Sequence, residues 1–375
     1  VPILVIPAGY PRRLAHYYPN FNSTLNMQHI TKWAEPITMG KAAPEVLRRA
    51  FFQLRNGRPG PVMLEVPLDV MNEEVPDNWK YVPSFSAKSA PAPDDVASAA
   101  KALASAERPV IYAGQGVHYA KAWDELKALA ETWNIPVTTS IEGKSAFPEN
   151  HPLSLGSGGR ANSRQVKQYL NDADVIFGVG VSFALTAFGV PMPANKDGSK
   201  TLIHATLDPM DLNKDVPVQH GLIGDAKLTL QALSAEMESY SKTLAEQRAG
   251  EPEKIAAIRT QWHNEWLPKL TSNDTPINPY RVIAELDRLV DKDNVVITHD
   301  AGSPRDQTTP FWESTAPLSY IGWGKTTQLG YGLGLAMGAK LAAPEKLCIN
   351  VWGDAAIGFT GMDFETAVRE NIPIL

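Results

Sequence analysis

A glycine and an aspartate directly after an apolar run are the residues whose types and spacing best suit chemistry in this chain. The run Leu347–Val351 predicts a buried strand, and Gly353 and Asp354 follow it. Ligands of open α/β sheets collect outside the carboxyl ends of strands. Small residues such as Ala355 and Ala356 let a backbone approach a diphosphate, and a carboxylate there can ligate Mg²⁺. Taken alone, such a pair is more often a helix cap.

A glycine-rich run offers independent support for a ligand. Residues 322–334 contain five glycines in thirteen positions and pass into a predicted helix at 328–341. Each glycine inside a helix costs about 1 kcal/mol relative to alanine, so the run indicates close approach of the backbone to something. Tight helix packing and a bound ligand explain it equally well. Gln328 and Leu329 lie where the helix is predicted to begin.

Gly302 and Ser303 belong to a third loop, which follows a predicted strand at 295–298. From this strand to Gly324 the sequence predicts a long loop. Because parallel strands end at one edge of their sheet, we expect this loop, the glycine-rich run and the Gly353 segment to converge.

The elements that must position these loops alternate along the chain, which predicts an α/β fold with doubly wound parallel sheets in several domains. Prolines among small residues at 83–93 predict a linker, and the polar stretch at 236–268 predicts a connector with one or two surface helices. Helices are predicted at 44–56, 96–106, 120–133, 166–170, 226–237, 279–290 and 328–341, and strands at 62–67, 109–113, 135–139, 175–179, 201–207, 295–298 and 347–351.

Composition excludes several classes of partner. The 375 residues are 43% hydrophobic, which is enough for two or three cores. The net charge of -6, from 35 basic and 41 acidic residues intermixed, argues against nucleic acid. No run approaches the ~18 apolar residues of a membrane span, so we expect no membrane partner. The single cysteine, Cys348, lies in an apolar run as a small buried hydrophobe, and a cytoplasmic location fits this cysteine usage.

Motifs along nearly the whole chain resemble those of acetolactate synthases and other thiamine-diphosphate-dependent enzymes. The resemblance is carried by residues 57–70, 135–139, 143–148, 173–176, 224–226, 332–334 and 353–354. The resemblance implies four parts: the C-terminal part of a pyrimidine-binding domain at 1–82, a complete Rossmann-like central domain at 91–235, a connector at 236–275, and the N-terminal part of a diphosphate-binding domain at 276–375.

The resemblance also implies a site for thiamine diphosphate and Mg²⁺. Asp354 matches the first Mg²⁺ ligand, and Leu329 matches the apolar residue that wedges under the cofactor and holds it bent. The bent cofactor can then act as its own base. The implied cofactor-binding residues are Gly302, Ser303, Gln328, Leu329, Gly353, Asp354, Ala355 and Ala356.

Two members of the family's site have no counterpart here, by the same resemblance. The glutamate that protonates the aminopyrimidine would precede Val1, and the asparagine that is the second Mg²⁺ ligand would follow Leu375. We therefore expect a fragment that contains no catalytic residue and is inactive by itself. The resemblance implies cleavage or ligation of carbon–carbon bonds in a 2-keto acid, by a carboligase or decarboxylase of the transferase or lyase class. It also implies a homodimer or homotetramer.

FAD is a further cofactor that the resemblance raises, but two features of the sequence argue against it. By the same resemblance, residues 301–307 lack the Gln-His pair of true acetolactate synthases, and residues 180–183 lack the arginine that their central domain presents to FAD. Gly114, Gly116 and the run 156–160 could bind a nucleotide, but we expect the central domain to be empty. The alternative function is a nucleotide-binding or regulatory α/β module without catalysis, which Ala355 and the missing acid would explain.

Overall fold

A computed structural model describes residues 1–185, 199–323 and 328–375. The chain divides into two units, Val1–Ser89 and Ala90–Leu375. Part of the glycine-rich run predicted to approach a ligand, residues 324–327, lies outside the described residues.

The first unit is built on a parallel sheet in which three strands all pair with β4. Helix α2 begins with Pro44 in its first turn, and it buries Val46 and Ala50 against Val62 and Leu64 of β4. The elements of this unit are β1 (Leu4–Val5), β2 (Ala8–Gly9), α1 (Ser23–Met27), β3 (Trp33–Pro36), α2 (Ala43–Arg55) and β4 (Val62–Pro67), with short 3₁₀ helices at Arg12–Leu14 and Gly40–Ala42.

The second unit begins with a parallel sheet whose described strands follow the order β10-β9-β8-β5-β6-β7. Its elements are α3 (Pro93–Ala104), β5 (Pro109–Ala113), α4 (Gln115–Ala120), α5 (Trp123–Trp133), β6 (Val137–Thr139), β7 (Ser154–Ser157), α6 (Arg164–Asp172), β8 (Val175–Val179), β9 (Thr201–Thr206), β10 (His220–Ile223) and α7 (Ala226–Met237), with a 3₁₀ helix at Pro209–Asp211.

Both faces of this sheet are covered by apolar side chains. Along β5, Ile111 and Ala113 belong to one buried cluster, whereas Val110 and Tyr112 belong to another. Side chains alternate between the faces of a strand, so the two clusters are the two faces of one sheet. This is the doubly wound arrangement that the alternation of helices and strands predicts, and the α/β fold class is confirmed.

After α7, three helices lead into a smaller parallel sheet of order β12-β11-β13. The remaining elements are α8 (Thr243–Gln247), α9 (Glu251–Leu270), α10 (Pro279–Leu289), β11 (Val295–His299), α11 (Ser303–Phe311), β12 (Tyr320–Ile321), α12 (Tyr331–Ala342), β13 (Leu347–Val351), α13 (Asp354–Thr360) and α14 (Phe364–Arg369), with a 3₁₀ helix at Gly361–Asp363.

The long loop predicted between the strand at 295–298 and Gly324 is wrong, because α11 and β12 lie within it. Helix α11 has little apolar periodicity, since its buried face is made largely of Arg305, Thr308 and Thr309. A pattern search for apolar side chains therefore misses it.

Candidate functional site

The candidate site lies at the carboxyl edge of the β12-β11-β13 sheet. The strands are parallel, with His299 opposite Val351 and Thr298 opposite Ile321. Helices α11 and α13 begin within a few residues of the ends of β11 and β13. The loops predicted to converge therefore leave the sheet at one edge.

Asp300 is the residue that joins two of these loops. Its carboxylate is fully buried, and it accepts hydrogen bonds from the main-chain amides of Ala301 at 2.9 Å, Gly330 at 3.0 Å and Gly332 at 3.1 Å. The carboxylate thus satisfies amides at the start of α12, which a helix leaves without internal partners. No local pattern predicts this role, because Gly330 lies 30 residues further along the chain.

Gly330 in turn touches the end of α13. Its φ of 90° is one that side chains disfavour, and a Cβ there would lie 2.8 Å from Cβ of Phe359. The hydroxyl of Thr360 donates to the carbonyl oxygen of Gly330 at 2.8 Å. The loop before α12 is therefore packed between Asp300 on one side and the last turn of α13 on the other.

Leu329 and Gln328 directly precede this fixed glycine. Leu329 is half-buried and Gln328 is exposed. The side-chain amide of Gln328 donates to the carbonyl oxygen of Leu329 at 3.4 Å. Both predicted residues are thus carried by the loop that Asp300 holds.

Gly302 and Ser303 form the exposed start of α11. Gly302 is the N-cap, it has a φ of 82°, and no side chain caps the helix. A Cβ at Gly302 would have no heavy atom of the described residues within 4 Å, apart from its chain neighbours. The first amides of α11 therefore lie beside open space.

Gly353, rather than Asp354, is the N-cap of α13, and this helix also has no side-chain cap. A lone Gly-Asp pair favours an aspartate that caps the helix, but Asp354 does not cap α13. Asp354 and Ala355 are exposed, whereas Ala356 is buried and 1% accessible. A Cβ at Gly353 would have no heavy atom of the other described residues within 4 Å, apart from its chain neighbours. The segment thus presents main-chain amides together with one carboxylate.

His299 is a buried neighbour of the site that sequence patterns do not single out. Its neutral ring donates from Nδ1 to the carbonyl oxygen of Asp300 at 3.1 Å, and it packs at 5.2 Å from the ring of Tyr320. On its other side a Cβ at Gly322 would lie 1.8 Å from Nε2. Burial lowers the pKa of His299 to about 4 and raises that of Tyr331, which it also contacts, to about 12. Both side chains are therefore neutral near pH 7.

The donor set at this edge suits a hard cation that shares its ligands with a phosphate. In the described ranges, no group of three His, Cys, Asp or Glu side chains could hold a metal by itself. Mg²⁺ is commonly bound by one or two carboxylates together with substrate phosphates, and anions bind favourably at helix N-termini. Asp354 and the uncapped starts of α11 and α13 therefore fit a diphosphate with Mg²⁺.

The glycines of the central sheet have a different explanation. A Cβ on Gly114 would lie 2.3 Å from the carbonyl oxygen of Gly180, and one on Gly116 would lie 2.6 Å from Cα of Gly180. The loops after β5 and β8 thus need glycine in order to pack against one another. No nucleotide is required to explain these residues.

Comparison with protein families identifies the class to which this fold and site belong. The family model for the thiamine pyrophosphate enzyme central domain matches residues 96–233. That for the thiamine pyrophosphate enzyme C-terminal TPP binding domain matches residues 300–375, which contain every predicted site residue. The chain belongs to the thiamine-pyrophosphate-dependent enzymes and is acetolactate-synthase-like, as the resemblance in the sequence implies.

Three of the chain's relatives are all named as acetolactate synthase large subunits. The chain is 30% identical to the probable acetolactate synthase large subunit of Methanococcus aeolicus over 88% of its own length and 57% of the relative's. It is 31% identical to that of Methanocaldococcus jannaschii, over 92% and 59%. It is 30% identical to the acetolactate synthase isozyme 3 large subunit of Escherichia coli, over 88% and 58%. The chain thus spans less than two thirds of the length of these relatives.

None of the described helices combines the length and the apolar character needed to cross a membrane.

Proposed function

We propose that the protein cleaves and joins carbon–carbon bonds of 2-keto acids with thiamine diphosphate and Mg²⁺, as an acetolactate-synthase-like carboligase or decarboxylase. The observation that carries this proposal is the coincidence of the matched C-terminal domain at 300–375 with an edge where two uncapped helix starts and Asp354 are exposed. The relatives, which are acetolactate synthase large subunits by name, support a carboligase of this kind.

Each predicted residue then has a defined task. The amides of Gly302 and Ser303 and those of Gly353, Ala355 and Ala356 would hold the diphosphate, because an anion is favoured at helix N-termini. Asp354 would ligate Mg²⁺. Leu329, with Gln328 beside it, would press against the cofactor and keep it bent. When bound, the cofactor supplies the electron sink and its own base for the reaction.

The buried residues around the site would keep this arrangement rigid and dry. Asp300 holds the loop that carries Leu329. His299 and Tyr320, both buried, fill the space beneath the sheet edge without carrying a charge near pH 7. A rigid, water-poor wall strengthens electrostatic stabilisation inside a site.

We further propose that the central domain works without FAD or another nucleotide, and that the protein is a cytoplasmic homodimer or homotetramer. The packing of Gly114 and Gly116 against Gly180 supports a central domain without a nucleotide.

The location and the oligomeric state have separate support. The single cysteine, which lies buried at Cys348, supports a reducing location such as the cytoplasm. The oligomeric state rests on the resemblance alone, and light scattering coupled to gel filtration would measure it. A monomer with full activity would contradict it.

The test of the proposed activity uses the full gene product, with pyruvate as the probe. Release of carbon dioxide from pyruvate that is labelled at its carboxyl carbon should depend on added thiamine diphosphate and Mg²⁺. The alternative of a nucleotide-binding or regulatory module without catalysis predicts no such release. If no 2-keto acid were consumed although the cofactor bound, the proposed reaction would be wrong while the cofactor site would stand.

A further inference from the structure

Lys144 is a buried cation to which the cofactor site gives no role. It belongs to the 143–148 motif of the central domain, and 1% of its side chain is accessible. Its ammonium donates to the carbonyl oxygens of Thr309 at 3.1 Å and Trp312 at 2.8 Å, and it pairs with the carboxylate of Glu149. All three hydrogen bonds of an ammonium group are thus accounted for.

Glu149 links the end of β7 to the chain that follows α11. Its second oxygen accepts from the hydroxyl of Ser157 at 2.7 Å, at the end of β7. The oxygen that faces Lys144 also accepts from the main-chain amide of Ser314 at 2.8 Å, and the Glu149 amide donates to the Ser314 carbonyl oxygen at 2.9 Å. Two buried side chains of the central sheet's loops therefore bind the chain that follows α11.

The carbonyls that Lys144 binds are those at the C-terminal end of α11. A positive charge at this end of a helix is favourable. The ammonium also lies 5.2 Å from the ring of Tyr320, whose hydroxyl is hydrogen-bonded to that of Thr308 at 3.0 Å. Helix α11 is thus held at its last turn by the central domain and at its side by β12.

The opposite end of α11 carries the cofactor loop. The helix is nine residues long and begins at Ser303, directly after Gly302. A short helix moves as a rigid rod, so its C-terminal anchor sets where its first amides lie. Burial lowers the pKa of Lys144, and the charge of Glu149 opposes this effect. Removal of either partner of such a buried pair leaves the other charge uncompensated, so Lys144 and Glu149 act as one unit.

We propose that Lys144 and Glu149 are positioning residues, which fix α11 against the central domain and thereby place Gly302 and Ser303 for the diphosphate. The statement about the diphosphate rests on the proposed function, whereas the statement about α11 does not. Among the described residues, neither side chain makes a hydrogen bond or an ion pair with the candidate cofactor loops, so their effect must travel along the helix.

Hydrogen exchange of the full gene product without cofactor tests the positioning of α11. Removal of Lys144 alone would leave Glu149 buried and unpaired, so the informative variant is Lys144→Met with Glu149→Gln. We expect peptides that cover residues 300–312 to exchange about tenfold faster, because α11 loses its anchor. Peptides from β5 and β8 should keep their protection.

Arg248→Met is the matched control. Arg248 is also a buried cation that donates to two main-chain carbonyls, those of Ala106 and Trp133, each at 2.8 Å. In the Arg248→Met variant, peptides that cover residues 300–312 should exchange at the same rate as in the parent. Unchanged exchange at 300–312 in the double variant, or an equal rise throughout the chain, would overturn the proposal.

A titration with thiamine diphosphate and Mg²⁺ tests the link to the cofactor. The double variant should bind the cofactor about tenfold more weakly than the parent at a temperature well below unfolding. Equal affinity of parent and variant would refute the link, because a purely structural role leaves affinity unchanged. If the parent itself bound no cofactor, the proposed function would fail, and the exchange experiment would still decide the positioning of α11.

Discussion

The main-chain amide of Gly330 donates to both carboxylate oxygens of Asp300, at 3.0 and 3.1 Å. This contact joins the end of β11 to the start of α12, across 30 residues of sequence. Leu329 directly precedes Gly330, so the same contact fixes the residue predicted to wedge under the cofactor. The candidate site therefore contains a buried acid, Asp300, and an exposed one, Asp354.

Asp300→Asn should lower the free energy of unfolding by about 1–3 kcal/mol, because the amide cannot accept from all the buried amides that the carboxylate satisfies. Urea denaturation measures this change. Asp354→Asn is the control, and it should change stability by less than about 0.5 kcal/mol, since Asp354 is exposed. Equal stability losses in the two variants would contradict the distinct roles of the two aspartates.

Alanine substitutions at Gly330, the N-cap of α12, and at Gly334, within α12, should change the stability of the fold in opposite directions. Gly330→Ala places a methyl group 2.8 Å from Phe359 at a φ of 90°, and it should destabilise the fold by about 1–3 kcal/mol. Gly334 lies inside α12, and a methyl group there would meet no heavy atom of the described residues within 4 Å outside the backbone of its own helix, so Gly334→Ala should stabilise by up to about 1 kcal/mol. Thermal unfolding of both variants decides. A stabilising Gly330→Ala would show that the cap conformation is not required.

The buried ring of His299 predicts a loss of stability in mild acid. Its pKa is lowered to about 4 from an ordinary value of 6.5, so between these values the unfolded chain binds the extra proton. Stability is therefore fully present above about pH 6.5, declines as pH falls, and levels off below about pH 4, with a total loss of about 3 kcal/mol. His299→Gln should lack this part of the slope in denaturation measured from pH 7 to 4. Identical slopes in parent and variant would count against a neutral buried His299.

The parts of the fold that local patterns specify could be predicted from the sequence. The strands Val62–Pro67, Pro109–Ala113 and Leu347–Val351 lie where apolar runs between turn residues predict them. Such runs report burial on both faces, which is a local property. The alternation of these strands with helices is then enough to predict the parallel sheets.

Features that depend on distant partners could not be predicted in this way. Helix α11 is missed because Arg305 and Thr308 are buried through polar contacts, and these leave no apolar period. The role of Asp300 requires Gly330, and that of Lys144 requires Thr309. Sequence spacing gives no sign of either pair, since each forms only when two loops fold together.

The sequence predicts the candidate site at the level of segments, and the roles of its residues stay predictions. Gly302 and Gly353 are the N-cap residues of α11 and α13. Neither glycine has a side chain that could bond the first amides of its helix, as an anion site would need. The four-part division at 1–82, 91–235, 236–275 and 276–375 also stays a prediction. The structure adds the buried contacts of Asp300 and His299, which local sequence patterns do not predict.

Calorimetric titration of the full gene product with thiamine diphosphate in the presence of Mg²⁺ tests the cofactor site most directly. The parent should show saturable binding, Asp354→Ala should weaken it at least about tenfold by removing a metal ligand, and Glu345→Ala should leave it unchanged. Glu345 is an exposed acid that precedes β13, at the opposite end of that strand from Asp354. Absence of binding by the parent, or equal binding by Asp354→Ala, would contradict a cofactor site at this edge.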